Sequence, residues 1–256
     1  MITIKTKEDI ATLREGGSRH ARILKQLVEM VRPGVRASEL NDRAAKLITE
    51  GGDKAAFLNY KPEGADRPYP ASLCVSINDE IVHGIPNESE KILKEGDVVS
   101  LDLGLVHEDR ITDMAITVAV GKVSPELEKL LQVTKEALMA GIKAAKGGKR
   151  TGDIGNAISL IAKAHKYGVV EELSGHGVGY HVHEDPFVPN FGEVGKGSVL
   201  KPGMVIAIEP MFNLGGKRIT LDDDGYTYRT ADGKPSAHFE HTILITKGDA
   251  EVLTQG

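Results

Sequence analysis

A chain of 256 residues that is 40% hydrophobic has enough apolar material for one large domain or two small ones. Its net charge of −5 argues against a nucleic-acid surface as the main function, and a single cysteine, Cys74, excludes a disulfide framework and a cysteine zinc site. No stretch approaches the roughly 20 apolar residues of a membrane span, and the opening MITIKTKEDI lacks the apolar run of a secretory signal, so a reducing, cytoplasmic setting is expected.

Thr6 with Asp9 marks a helix start, and apolar residues recur at Ile10, Leu13, Ile23, Leu27 and Val31 until Pro33-Gly34 stops the helix. Ser38 is placed to cap a second helix that runs through Leu40 and Ala44 to Ile48 and closes at Gly51-Gly52. A loop rich in Pro, Gly and Tyr follows over 57–70. Strands are expected at 74–77, 98–103 and 111–120, the last two joined by a polar turn at 107–110. The second half opens the same way. Ser124 precedes Pro125 at the first helical position, giving a helix to about 145, broken at Gly147-Gly148. Another helix runs from about 153 to 166 and ends before Gly168, and strands follow at 204–208, 226–229 and 238–246. Each half thus reads helix, helix, strands. That pattern predicts a duplicated α+β architecture, with halves of about 6–121 and 122–252 in one domain, a shared sheet and a site between the halves. The duplication lies in element order, with no residue-level repeat.

Asp102, in VVSLDLG, and Asp113, in RITDMAITV, interrupt apolar strands. A charge there is costly unless it is paired or holds a metal. The two are symmetric about the junction of His107 and Glu108, so a hairpin closing there sets Asp102 directly opposite Asp113. Glu209 ends the apolar run MVIAIEPMF, with Pro210 stopping the ladder, and Glu240 lies in AHFEHTILIT. Four carboxylates and a nearby histidine suit two divalent cations about 3.5–4 Å apart.

The histidine comes from GHGVGYHVHEDP, which carries His176, His181 and His183 in eight positions. Taken alone, these fit either a metal or catalytic site or an incidental cluster. Glycines around His176 suggest backbone passing close to something. His181 and His183 share a face if that stretch is a strand, whereas His176 and His183 converge only if the glycines bend the chain.

With SINDEIVHGIP, LDLG with TDM, GHGVGYHVHEDP, IEPM and FEHT all present, nearly the whole chain resembles the type I methionine aminopeptidases, of the pita-bread fold shared with proline-specific peptidases and creatinase. The resemblance implies five metal ligands at Asp102, Asp113, His176, Glu209 and Glu240. Asp113 and Glu240 would bridge two ions, Asp102 would hold one, and His176 with Glu209 the other. It also implies a metal-bridging hydroxide as nucleophile, Glu209 as proton shuttle, and His83 and His183 as groups that bind substrate and stabilise developing charge. His181 is incidental in that comparison. The methionine pocket would use Tyr60, Tyr69, Cys74, Val182 and Tyr226, a soft thiol and aromatic edges suiting a thioether. Cobalt, manganese, iron, zinc and nickel all match a carboxylate set with one imidazole. The implied partners are the N-terminal methionine of nascent chains and the ribosome that carries them, with a monomer expected and no membrane or nucleic-acid role. Val182, Tyr226 and Gly104 depart from the aromatic residue, tryptophan and threonine common there. LDLG, TDMAIT and HVHE lean toward the proline-peptidase branch, HGIP and EHT toward methionine. The alternative is therefore a proline-specific or broader aminopeptidase. A non-catalytic binding relative is disfavoured because all five ligand positions are kept.

Overall fold

The structure, a computed structural model, describes residues 2–255. The first half comprises α1 (Lys7–Met30), α2 (Ala37–Glu50), β1 (Lys54–Ala55), β2 (Leu73–Ile77), β3 (Glu80–Val82), β4 (Val98–His107) and β5 (Arg110–Ala119). The second comprises α3 (Pro125–Ala144), α4 (Thr151–His165), β6 (Gly168–Val169), β7 (Ser174–Gly177), β8 (Glu184–Pro189), β9 (Val205–Ile208), β10 (Met211–Asn213), β11 (Ile219–Leu221), β12 (Tyr228–Thr230), β13 (Ser236–His238), β14 (His241–Leu244) and β15 (Glu251–Val252).

The helix ends follow local chemistry. The Thr6 hydroxyl accepts the Asp9 amide, and the Asp9 carboxylate accepts the Thr6 amide, closing a capping box on α1. Ser124 caps α3, whose first residue is Pro125. Ser38 is not a cap. It lies inside α2, where the Glu39 carboxylate accepts the Arg36 amide at 2.9 Å and takes over the start of the helix.

β4 and β5 pair along ten residues, and the other edge of β4 carries β2 and, further along, β1. The second half forms a five-stranded antiparallel sheet in the order β15-β14-β9-β7-β8. Side chains alternate along these strands. In β4, Leu101, Leu103 and Leu105 pack against Leu24, Leu27, Leu40 and Ala44 of α1 and α2, joined from β5 by Met114, Ile116 and Val118. In the second half, Ile206, Ile208 and Ile243 pack against Leu130, Val133, Ile154 and Ile158 of α3 and α4. The helices therefore cover one face of each sheet. Asp102, Asp113, Thr117, Glu209, Glu240 and Thr242 fall on the alternate positions and face away from the helices.

The hairpin corrects one expectation. Glu108 and Asp109 both have positive φ, 45° and 59°, and form a two-residue turn that sets His107 opposite Arg110. The turn centre lies one residue later than the sequence symmetry suggested. Asp102 faces Ala115 and Asp113 faces Gly104, so the aspartates are diagonal neighbours on one face rather than a direct pair. In the second half the expected 238–246 strand is split into β13 and β14, and Tyr226 precedes β12. The register nevertheless runs through the break, because Met211 opposite His238 continues the pairing of Ile208 with His241. That register puts Glu209 across from Glu240.

Two threonine hydroxyls splice the halves together. Thr242 Oγ1 accepts the Asp113 amide and donates to the Asp113 carbonyl, both at 2.8 Å. Thr117 Oγ1 does the same with His238, at 2.8 and 2.7 Å. Between them the Glu240 amide donates to the Ala115 carbonyl at 2.9 Å. β5 and the β13–β14 segment thus meet without a regular ladder, and the seam fixes Asp113 beside Glu240. Thr242→Val keeps the shape but leaves both polar groups of Asp113 unpaired. We expect a loss of about 1–3 kcal/mol in urea unfolding of the metal-free protein, against at most about 0.5 kcal/mol for Thr49→Val on the exposed face of α2.

Candidate metal centre and substrate cavity

A cavity of about 450 Å³ lies at this seam. Every residue singled out for the site lines it. The ligand candidates Asp102, Asp113, His176, Glu209 and Glu240 are there, as are His83 and His183, and so are Tyr60, Tyr69, Cys74, Val182 and Tyr226. No lysine or arginine lines it.

β4 brings Asp102, β5 Asp113 and β7 His176, while Glu209 follows β9 and Glu240 stands between β13 and β14. Ligand atoms of Asp113, His176 and Glu240 lie within 4.8 Å of one another. His176 Nε2 is 3.5 Å from Glu209 Oε1. His176 Nδ1 sits 2.9 Å from the Gly177 carbonyl, to which it donates, so Nε2 carries the free lone pair. The glycines around His176 do approach something closely, but it is neighbouring backbone. A Cβ on Gly175 would come 2.4 Å from the Ala207 carbonyl oxygen, and one on Gly177 2.2 Å from that of Asp185.

Burial, followed by the charges of Asp102 and Glu209, pushes the Asp113 carboxyl well above its usual range. Burial followed by Asp113 and Glu209 does the same to Glu240. Asp102 is also raised, mainly by burial, with His238 pulling the other way. Glu209 behaves differently. Burial raises it, but the His238, His176 and His183 imidazoles outweigh that and hold it below the usual value. Asp102 Oδ1, Asp113 Oδ1 and Glu240 Oε1 are buried without a hydrogen-bond partner. Buried polar atoms are nearly always satisfied, and three orphaned carboxylate oxygens from residues lining one cavity fit a divalent cation. The residues present therefore suit a bound metal.

His183 and His83 stand on the substrate side. His181 and His183 do not lie on a strand but in the irregular 178–183 turn between β7 and β8. The bend brings the His183 ring to 4.5 Å from that of His176, edge to face. Burial, with His176 next, lowers His183 to about 4. Burial likewise lowers His83 to about 4, against the pull of Glu209. Both are neutral at pH 7. Tyr60 Oη lies 2.9 Å from His183 Nδ1. A phenol donates to a neutral imidazole, which leaves Nε2–H of His183 as its donor.

That turn is anchored from behind. The Glu184 carboxylate accepts the Tyr180 and His181 amides at 2.6 and 3.1 Å and pairs with the buried Lys5 at 2.7 Å. Tyr180 donates its hydroxyl to Asp9, which also binds Arg110. His181 is not among the residues that line the cavity.

An apolar pocket adjoins the carboxylates. Tyr69, Cys74, Tyr226, Ala71 and Ile85 form one buried cluster, with Phe57 and Ala65 against it. The Tyr69 and Tyr226 rings meet edge-on at 5.2 Å. Burial pushes the Cys74 thiol up, so it is a neutral wall of the pocket. Gly104 shapes this wall, because a Cβ there would come 2.6 Å from Phe57 Cε1. Sequence reasoning missed Phe57, and it missed His238, whose Nε2 lies 3.6 Å from Glu209 Oε2. The signal for His238 was its two-residue spacing from Glu240 in AHFEH, which puts both on one strand face.

The chain is 46% identical over 256 residues to a methionine aminopeptidase of Aquifex aeolicus, covering 99% of each chain. It superposes on the crystal structure of methionine aminopeptidase from Rickettsia prowazekii with a TM-score of 0.94 at 39% identity, over 100% of both chains. A prolidase from Pyrococcus furiosus is more distant, with a TM-score of 0.77, 26% identity, and 99% of this chain against 65% of that one. Residues 11–247 match the model of metallopeptidase family M24. The chain, with its pita-bread fold and its carboxylate–imidazole cluster, belongs to metallopeptidase family M24.

Proposed function

We propose that this chain is a methionine aminopeptidase, a hydrolase that removes the N-terminal methionine of nascent proteins and peptides. The observation that carries this is one cavity joining orphaned carboxylates to an apolar pocket walled by Tyr69, Cys74 and Tyr226. An unbranched thioether fits such a wall. Asp102, Asp113, His176, Glu209 and Glu240 would hold two divalent ions, drawn from cobalt, manganese, iron, zinc or nickel. When bound, the ions supply Lewis acidity and bring the pKa of a water toward neutrality.

The chain's own groups do the rest. Glu209, held ionised by its imidazole neighbours, takes a proton from the attacking water and passes it to the leaving amine. His83 and His183, both neutral, donate hydrogen bonds to the scissile carbonyl as its oxygen gains charge. Tyr60 keeps the proton of His183 on Nε2 for that task. The chain acts as one catalytic domain with halves of about 6–121 and 122–252, as a monomer in the cytoplasm, on chains emerging from the ribosome.

The rival reading is a proline-specific aminopeptidase, favoured by LDLG and TDM and by the likeness to prolidase. Peptides separate the two. Metal-stripped protein resupplied with manganese or cobalt is expected to release methionine from Met-Ala-Ser, and Asp102→Ala to fall to background. Cleavage of Ala-Pro with Met-Ala-Ser untouched would establish the rival.

Metal loading also carries a proton signature. The raised carboxyls of Asp113, Glu240 and Asp102 retain protons in the metal-free protein, and ions must displace them. Affinity therefore rises as pH passes through the Asp102 value of about 7, with protons released on binding. Calorimetric titration in buffers of different ionisation enthalpy reads the release directly. Heats independent of buffer, with a flat affinity, would contradict this protonation scheme.

A further inference from the structure

Glu209 lies between two histidines. His176 Nε2 is 3.5 Å from Oε1, and His238 Nε2 is 3.6 Å from Oε2. The first spacing is that of two donors on one tetrahedral ion, about 3.4 Å for bonds near 2.1 Å. The second belongs to a side chain outside the ligand set, and His238 is unusual in its own right. It is 1% exposed, and neither ring nitrogen has a hydrogen-bond partner. Its backbone is pinned on both sides by Thr117 and by pairing with Met211, so the ring is delivered to this place by the seam. A buried imidazole without partners costs stability. It sits a few tenths of an ångström outside hydrogen-bond reach of the one oxygen of Glu209 that His176 does not face.

We propose that His238 is a positioning residue for the metal centre. Its Nε2–H donates to Glu209 Oε2 and thereby turns Oε1 toward the ion shared with His176. A carboxylate ligand with one oxygen engaged from behind has a single orientation left, and outer hydrogen bonds of this kind typically govern metal affinity. The inference rests on the reading of His176 and Glu209 as ligands of one ion.

The test is calorimetric titration of the metal-stripped full chain with manganese or cobalt, comparing wild type, His238→Gln, His238→Leu, His238→Met and His176→Ala. Glutamine retains an N–H donor, whereas leucine and methionine do not. Loss of the donor is expected to weaken one class of ion by about 10–100-fold, while His238→Gln stays close to wild type. The visible spectrum of the cobalt-loaded protein is expected to change in the leucine and methionine variants and to return in the glutamine variant. Methionine serves if leucine fails to fold. Wild-type affinity and spectrum in the donor-less variants, with a site lost in His176→Ala, would overturn the role of His238 and leave the ligand reading intact. Equal loss in the glutamine, leucine and methionine variants would overturn the hydrogen bond. An unchanged His176→Ala would instead remove the ligand reading beneath it.

Discussion

Four buried or half-buried carboxylates, those of Asp102, Asp113, Glu209 and Glu240, share one cavity, and among the described residues no lysine or arginine lines it. Ionised together they repel, and in a low-dielectric setting each also loses its hydration. Left alone, such a cluster would relax by swinging its side chains apart or by keeping its protons, as the raised Asp113 and Glu240 carboxyls show. The rest of the fold prevents the first escape. Asp102 and Asp113 are fixed by ten paired residues on each strand, and Asp113 and Glu240 by the Thr242 and Ala115 contacts across the seam. Leucines and isoleucines on the reverse faces lock the same strands against four helices. The scaffold thus holds the carboxylates at a spacing whose repulsion is relieved by retained protons or by cations.

The two halves solve this problem in parallel. Each contributes one antiparallel pair with two acidic residues on the face turned away from its helices. In the first pair the acids are diagonal neighbours, and in the second they stand across from one another at the break between β9 and β10. The same arrangement of charge recurs in both pairs. It explains why the site lies between the halves, since neither pair alone provides the full ligand set.

Much of this was legible in the residues. Alternation in VVSLDLG and RITDMAITV fixes which side chains share a face with each aspartate, and Pro210 marks where Glu209 leaves its ladder. The register was not legible, because Glu108-Asp109 makes a turn with both residues at positive φ without the Asn-Gly or Asp-Gly signature of such turns. The glycines beside His176 were read as backbone passing close to something unspecified. They are room for neighbouring backbone, which a sequence with no pairing information cannot distinguish. The seam was equally hidden, since threonine is common in strands and nothing local announces that Thr117 and Thr242 bridge distant segments. His238 was overlooked although its spacing from Glu240 was in plain view.

The ion ligands and the substrate-facing groups are built differently, and this bears on how substrate choice is set. All five ligand candidates lie in strands or at strand breaks, His176 at the irregularity of β7 between β9 and β8. Tyr60, Tyr69, Val182, His183 and Tyr226 all lie outside strands, on loops held by separate struts. Arg67 ties one loop to Glu88 and to the Asp224 carbonyl, and accepts the Tyr226 hydroxyl on its own carbonyl. Lys5 and Glu184 tie the other. Arg67 is held by loop residues, whereas Glu184 pairs with Gly177 beside His176, so the second loop is coupled to a ligand candidate. Cys74, opposite Asp102 on β2, is one place where the two systems touch, and Gly104 is another. Gly104 stands opposite Asp113 in the ligand hairpin, and its missing side chain makes the space that Phe57 fills in the pocket wall. A threonine there would push Phe57 out of that wall while leaving the strand register unchanged. The shape of the apolar pocket in this chain is therefore tied to the hairpin of Asp102 and Asp113 through Gly104 and Cys74, while Tyr60, Tyr69 and Tyr226 reach it from loops.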